Sequence, residues 1–244
     1  MKRLPFFQST LGKKTVIAVT GAIMIGFLAG HVVGNLKVFL PDPEPGVADI
    51  DVYAEFLRSA GEPILPAGGG LWIVRLTLIA ALVIHVVLVV QLSLRNRKAR
   101  PVGYASEHHA RATRPARWMM FSGLLVLGFV VFHLLHFTTG TVDPAAFEEG
   151  AVYANLYFAF TRWPFVLLYV VAMGLVSLHL YHGAWSMFQT LGLDSPDRNR
   201  ALRWFAVVIS IVVFAGFVMV PISFVSGALD PPHEAVVSAE LEND

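Results

Sequence analysis

Five long apolar stretches run through this chain, and short polar segments separate them. The pattern predicts spans over about 16–40, 71–94, 118–138, 163–189 and 204–225. At ~1.5 Å rise per residue, each is long enough to cross ~30 Å of hydrocarbon. Pro41-Asp42-Pro43-Glu44-Pro45-Gly46 breaks the first span, and Gly68-Gly69-Gly70 closes the acidic loop that follows. Within that loop, Val52 to Arg58 reads as a short interfacial helix. Gln8-Ser9-Thr10-Leu11-Gly12 reads as an interfacial lead-in. Pro221, near the end of the fifth span, is a candidate kink. Residues 1–229 make a single transmembrane domain, and 230–244 form an acidic, Pro-containing tail expected to be disordered. The expected fold class is all-α, an integral membrane bundle of five transmembrane helices.

Composition agrees. The 244 residues are 56% hydrophobic and 14% charged, and mean hydropathy is +0.64, too apolar for a soluble domain. The N-terminal apolar run starts late and is too long for a cleavable signal, so it reads as a retained span. The chain contains no cysteine. That excludes disulfides, Cys-ligated clusters and c-type haem attachment, and leaves His, Met, carboxylate or backbone as metal ligands.

Charge sets the orientation. All but four of the 18 Lys and Arg residues fall in the N-terminal segment, the second loop (95–117) and the fourth loop. The exceptions are Lys37, Arg58, Arg75 and Arg162. The positive-inside rule then puts the N-terminus in the cytoplasm and the C-terminus outside.

The apolar runs carry histidines. His31, His85, His133 and His179 fall one to each of the first four spans, and the fifth has none. An ionisable group in a span is a functional candidate by default. Counting depth at ~1.5 Å per residue puts His31 and His133 in an outer layer and His85 and His179 in an inner one, roughly 12–16 Å apart. Neutral imidazole binds iron through one ring nitrogen while the other is fixed by a hydrogen bond, and facing helices can hold a cofactor this way. Two such pairs make an electron path across a bilayer. Gly26, Gly128 and Gly174 each precede a candidate ligand by five residues, which favours His133 and His179 over His136 and His182 as ligands. His136 and His182 share nearly the same helix face as those ligands. They are candidates for contacts around the haem, its propionates or a quinone.

Arg114, Arg117, Trp118 and Gln189 are candidates for the inner haem's propionates, and Arg75 for the outer one's. Trp72, Trp118, Trp163 and Trp204 sit at span ends, where an aromatic belt explains them. Gly30-His31-Val32-Val33-Gly34 has the spacing of a helix-packing motif. His108-His109 reads as solvated or partner-facing.

The ordered set Ala29-Gly30-His31-Val32-Val33-Gly34-Asn35, Ile84-His85-Val86-Val87, Val131-Phe132-His133-Leu134-Leu135-His136-Phe137 and His179-Leu180-Tyr181-His182-Gly183-Ala184-Trp185-Ser186 resembles a known family. So does the lead-in Ser9-Thr10-Leu11-Gly12-Lys13-Lys14. The family is that of the di-haem cytochrome b membrane anchors of succinate:quinone oxidoreductases and quinol:fumarate reductases. The resemblance covers residues 8–225.

It implies an outer haem b on His31 and His133, an inner haem b on His85 and His179, and quinone, menaquinone above all, as substrate. It implies a flavoprotein and an iron–sulfur protein as partners at the cytoplasmic face, and a place in the cytoplasmic membrane and the respiratory chain. Nucleic acid is not an expected partner, and association of whole complexes into a higher oligomer is left open. Some fumarate reductases of this kind carry a glutamate two residues before the fourth-span ligand, linked to proton transfer. Here that position is Ser177, which tilts the expectation toward succinate oxidation. Glu55 and Glu62 are candidate proton groups near an outer quinone site.

Beside this reading stand the cytochrome b subunit of a quinol:fumarate reductase, a structural anchor without cofactors, and two further alternatives. One is a di-haem cytochrome serving another dehydrogenase. The other, from a different class, is a His-lined proton or metal transporter, which predicts acidic partners or broken helices at the midplane. The interiors of the first four spans hold no Asp or Glu.

Overall fold

The structure is a computed structural model, and it describes residues 9–99 and 114–233. Among the described residues it is all helical, apart from a lone bridge between Glu44 and Val47. Seven helices follow one another: α1 (Thr10–Leu36), α2 (Asp49–Ser59), α3 (Gly69–Lys98), α4 (Arg114–Phe137), α5 (Val152–Phe160), α6 (Trp163–Thr190) and α7 (Asn199–Val225). Five of them, α1, α3, α4, α6 and α7, are long and apolar enough to cross a membrane.

Local chemistry explains the ends. Ser9 caps α1, its Oγ accepting the Gly12 N–H at 2.9 Å, so the helix begins well before the apolar run does. Thr10, Leu11 and Gly12, read as part of a lead-in, are therefore the first turn of the helix. Asp49 and Asp51 open α2 and Arg58 closes it, matching the helix dipole at both ends. Gly68 takes a left-handed conformation (φ +74°) just ahead of α3. Pro164 sits in the first turn of α6, where its missing N–H costs nothing. α7 continues as helix through Pro221. The α5 helix was not foreseen; its Asn155, Leu156, Ala159 and Phe160 are buried.

The packing is uneven. α6 and α7 make the most extensive contact, and α1 packs on α3, α6 and α7. Small residues close the α6–α7 seam: Ala184 and Ala206 are fully buried. Ser177 Oγ donates to the Ser210 carbonyl at 2.8 Å across it. α4 packs on α6, but α3 and α4 have no extensive contact with each other among the described residues. α3 buries only Ala81 and Leu92.

A second packed region lies at the end of the bundle where α2 and α5 cover the spans. Val38, Ile50, Leu156, Phe160, Tyr169, Val220 and Phe224 form one core there. Lys37 pairs with Asp49 at 2.7 Å, and Arg162 pairs with Asp143. The faces of α3 and α4 turned away from the bundle expose Ile73, Leu76, Val83, Val87, Phe121 and Leu124, as a lipid-facing surface does.

Gly30 and Gly34 do not form a helix-packing pair. An added Cβ at Gly34 would come 2.8 Å from the Tyr53 ring of α2, and one at Gly30 would meet nothing within 4 Å. The close approach of α1 to α7 is at Gly216, where a Cβ would lie 2.5 Å from Val32 Cγ1.

Candidate functional site

Two of the four span histidines, His31 and His133, come together across helices. His31 of α1 and His133 of α4 have ring centroids 6.0 Å apart, with planes near perpendicular at 73°. His85 of α3 and His179 of α6 each face a hydroxyl on a neighbouring helix, Thr20 of α1 and Ser122 of α4. All four are half-buried.

The inner pair is held in the same way on both sides. His85 Nδ1 is 3.1 Å from Thr20 Oγ1 of α1. His179 Nδ1 is 3.2 Å from Ser122 Oγ of α4. The Thr20 proton already goes to the carbonyls of Val16 and Ile17, and the Ser122 proton to that of Met119. Each hydroxyl oxygen is therefore left to accept from Nδ1–H. That fixes the tautomer and leaves Nε2 with its lone pair free to ligate.

Glycine makes room beside each hydroxyl. A Cβ at Gly21 would lie 3.6 Å from His85 Cε1, and one at Gly123 3.2 Å from His179 Cε1.

The outer pair sits among aromatic rings. Phe27 stacks on His31 at 5.2 Å, and Phe217 lies 5.4 Å from it. Phe129 and Phe137 flank His133 at 5.9 and 5.8 Å. Tyr169 joins two histidines: its hydroxyl is 3.0 Å from His136 Nδ1 and 3.5 Å from His133 Nδ1. The nearer contact is with His136, and the one to His133 is at the outer limit of a hydrogen bond. His31 Nδ1 faces the Asn35 amide at 3.5 Å, the outer limit of a hydrogen bond.

Among the described residues the side-chain hydrogen bonds of the four histidines fall on Nδ1. Metal–imidazole bonds run about 2 Å, so two imidazoles on opposite sides of one metal put their centroids about 6 Å apart. The His31–His133 separation suits that arrangement. A histidine pair supplies only two ligands, and no group of three or more metal-binding side chains gathers among the described residues. The donor set suits a metal whose remaining ligands come with it, as in haem.

The supporting residues Thr20, Gly21, Ser122, Gly123 and Tyr169 were not foreseen. A signal for most of them is present in the chain. Thr20-Gly21 precedes Phe27 and His31 at the same spacing by which Ser122-Gly123 precedes Phe129 and His133. The glycines five residues before His31, His133 and His179 face open space. A Cβ at Gly26, Gly128 or Gly174 would meet nothing within 4 Å, so no helix approaches there.

Other candidates are placed as follows. His136 is buried at 3% exposure between Phe137 and Phe165, stacked on both. His182 is half-buried against Tyr181. Trp118 is exposed and meets Phe121 edge-on. Gln189 is exposed. Arg75 is exposed, its guanidinium 5.2 Å above the Trp72 ring. The structure does not bring Gln189 or Arg75 to the pairs. Arg114 and Arg117 begin α4, and their side chains, with His108 and His109, lie outside the described residues. Glu55 is solvated and pairs with Arg58 at 3.1 Å, and Glu62 is exposed.

Comparison with protein-family models, with curated proteins and with solved structures gave no match. The class that the fold defines is a multi-pass, all-helical chain with five helices able to span a bilayer.

Proposed function

We propose that this chain is the cytochrome b membrane-anchor subunit of a succinate:quinone oxidoreductase, with His31 and His133 holding an outer haem b and His85 and His179 an inner one. Bound there, the haems supply one-electron transfer between an iron–sulfur partner and a quinone, menaquinone being the expected one. The observation that carries the reading is the pair geometry. The His31 and His133 rings, from two different spans, lie 6.0 Å apart, and His85 and His179 each have Nδ1 within hydrogen-bond reach of a hydroxyl oxygen on a neighbouring span.

The chain's own residues have distinct tasks in this reading. Thr20 and Ser122 orient the inner imidazoles and raise their basicity through Nδ1–H. Gly21 and Gly123 let those rings lie against the neighbouring helix. Phe27, Phe129 and Phe217 keep water from the outer pair, which favours the uncharged macrocycle plane over solvent. The uncovered interior faces of α3 and α4 are where a large flat ligand would complete the packing.

The basic second and fourth loops put the docking face for a flavoprotein and an iron–sulfur protein in the cytoplasm, with the N-terminus on that side of the cytoplasmic membrane. Ser177, bonded to the α7 backbone, occupies the place where a proton-carrying glutamate stands in some fumarate reductases, and this favours succinate oxidation.

The test is purification of the tagged chain under mild detergent from its native membranes. The reading expects a flavoprotein and an iron–sulfur protein to co-purify, and succinate to reduce the b-type absorbance of the complex. A different dehydrogenase as the companion, or absorbance that succinate leaves oxidised, would transfer the chain to another respiratory enzyme.

A further inference from the structure

Lys13 is turned inward. It is 8% exposed, whereas Lys14 beside it is exposed. A lysine near a span end ordinarily extends its ammonium to the interface. Lys13 instead enters the seam between α1 and α3, where its Nζ donates to Gln91 Oε1. Gln91 is neutral, and among the described residues Lys13 meets no carboxylate. A buried cation with only an amide for company is costly unless an anion joins it.

Its position says where that anion belongs. Lys13 precedes Thr20 by seven residues, two turns of helix, and so lies on the same face of α1 about 10 Å away. Gln91 follows His85 by six residues on α3, about 9 Å in the same direction. The α1–α3 seam thus carries two rungs: Thr20 with His85, and below it Lys13 with Gln91.

We propose that Lys13 and Gln91 form an anion site at the inner mouth of the bundle, which takes an anionic oxygen group of the ligand held by His85 and His179. This rests on the functional reading above, in which that ligand is a haem and the anion one of its carboxylates. The phosphate of an anionic lipid offers the same chemistry from the bilayer side. Neither Lys13 nor Gln91 was a candidate from sequence, where the lysine passed as a topology signal.

The test is a redox titration with a haem count on the intact complex, comparing wild type, Lys13→Gln and Lys13→Arg. Removing a positive charge beside one haem favours its oxidised form. Lys13→Gln is expected to keep both haems and lower one midpoint by about tenfold in the reduction equilibrium, about 59 mV for a one-electron couple. Lys13→Arg should restore it, and the other centre should not move.

Nanodiscs separate the two sources. A shift that persists in nanodiscs of a phosphate-free glycolipid assigns the anion to the haem carboxylate, and a shift seen only with phosphatidylglycerol assigns it to lipid phosphate. Unchanged midpoints, or equal loss of both haems in the Gln and Arg variants, would overturn the site and leave a structural tie. A wild-type chain without haem would overturn the functional reading instead. The anion site is then judged by phosphatidylglycerol retained through delipidation: loss in Lys13→Gln supports it, and equal retention overturns it.

Discussion

Thr20 Oγ1 lies 3.1 Å from His85 Nδ1 across the α1–α3 seam, while its own proton serves the carbonyls of Val16 and Ile17. Ser122 and His179 repeat this between α4 and α6. Each of α1 and α4 therefore bears one histidine of the His31–His133 pair and a hydroxyl oxygen beside His85 or His179. Thr20→Val should loosen the inner haem by about 10–100-fold, the usual effect of losing a partner behind a ligating histidine. Thr20→Ser should retain it, and the outer haem should be unaffected in both. Haem transfer to an excess of apo-acceptor protein measures this.

The two glycines differ in how much room they leave. A Cβ at position 123 would press on His179 at 3.2 Å, whereas one at position 21 has ordinary contact with His85 at 3.6 Å. Gly123→Ala should therefore shift the inner haem's spectrum and lower its occupancy, with Gly21→Ala close to wild type. Gly216→Ala makes the control. It drives a methyl into Val32 and should cost about 1–3 kcal/mol of stability by overpacking, with the absorbance spectrum unchanged.

His136 and His133 should separate cleanly. His136 is buried, stacked between Phe137 and Phe165, and bonded to Tyr169. His136→Ala should keep both haems and lower thermal stability by about 2–4 kcal/mol, through a cavity and a buried hydroxyl that loses its partner. His133→Ala should lose the outer haem alone. Haem counts and thermal unfolding of the two variants in detergent distinguish the roles.

Asp51 gives the covering helices a pH dependence. Burial raises its carboxyl above the ordinary value of 3.8, although the Tyr153 N–H donates to its Oδ1 at 3.0 Å. A carboxyl raised in the folded state stabilises fully below the unfolded value and loses that contribution as pH rises through the folded one. Folded stability at the α2–α5 end should thus fall from about pH 3.8 upward. Asp51→Asn keeps the acceptor for Tyr153 and should flatten this profile. Hydrogen exchange at Val152 and Tyr153 across pH reads it locally.

The spans were legible because a bilayer demands long apolar runs, and each of the five runs became a helix. Their ends were less so: the Ser9 cap carries α1 to Thr10, and α7 begins at Asn199, where polar residues turn helical without any apolar signal. α5 was hidden for the opposite reason. Val152–Phe160 is only 9 residues long, too short for a span, and its Leu156 and Phe160 are buried by α6 and α7 rather than by lipid.

For the site, depth counting paired His31 with His133 and His85 with His179, because residue number along a helix is distance along it. What it could not supply was rotation about the helix axis. Hence Thr20, Ser122 and Tyr169, which depend on facing a ring, stayed out of sight. For the same reason the close approach of His85 to Gly21 and of His179 to Gly123 was not legible.

The central claim is that the two histidine pairs hold two b-type haems, and a pyridine haemochrome count on the purified full-length chain tests it most directly. The account predicts two haems per chain, falling to one in His31→Ala or His133→Ala, with the inner haem kept. A wild-type chain with no haem, or one whose haem content these substitutions leave unchanged, would contradict it.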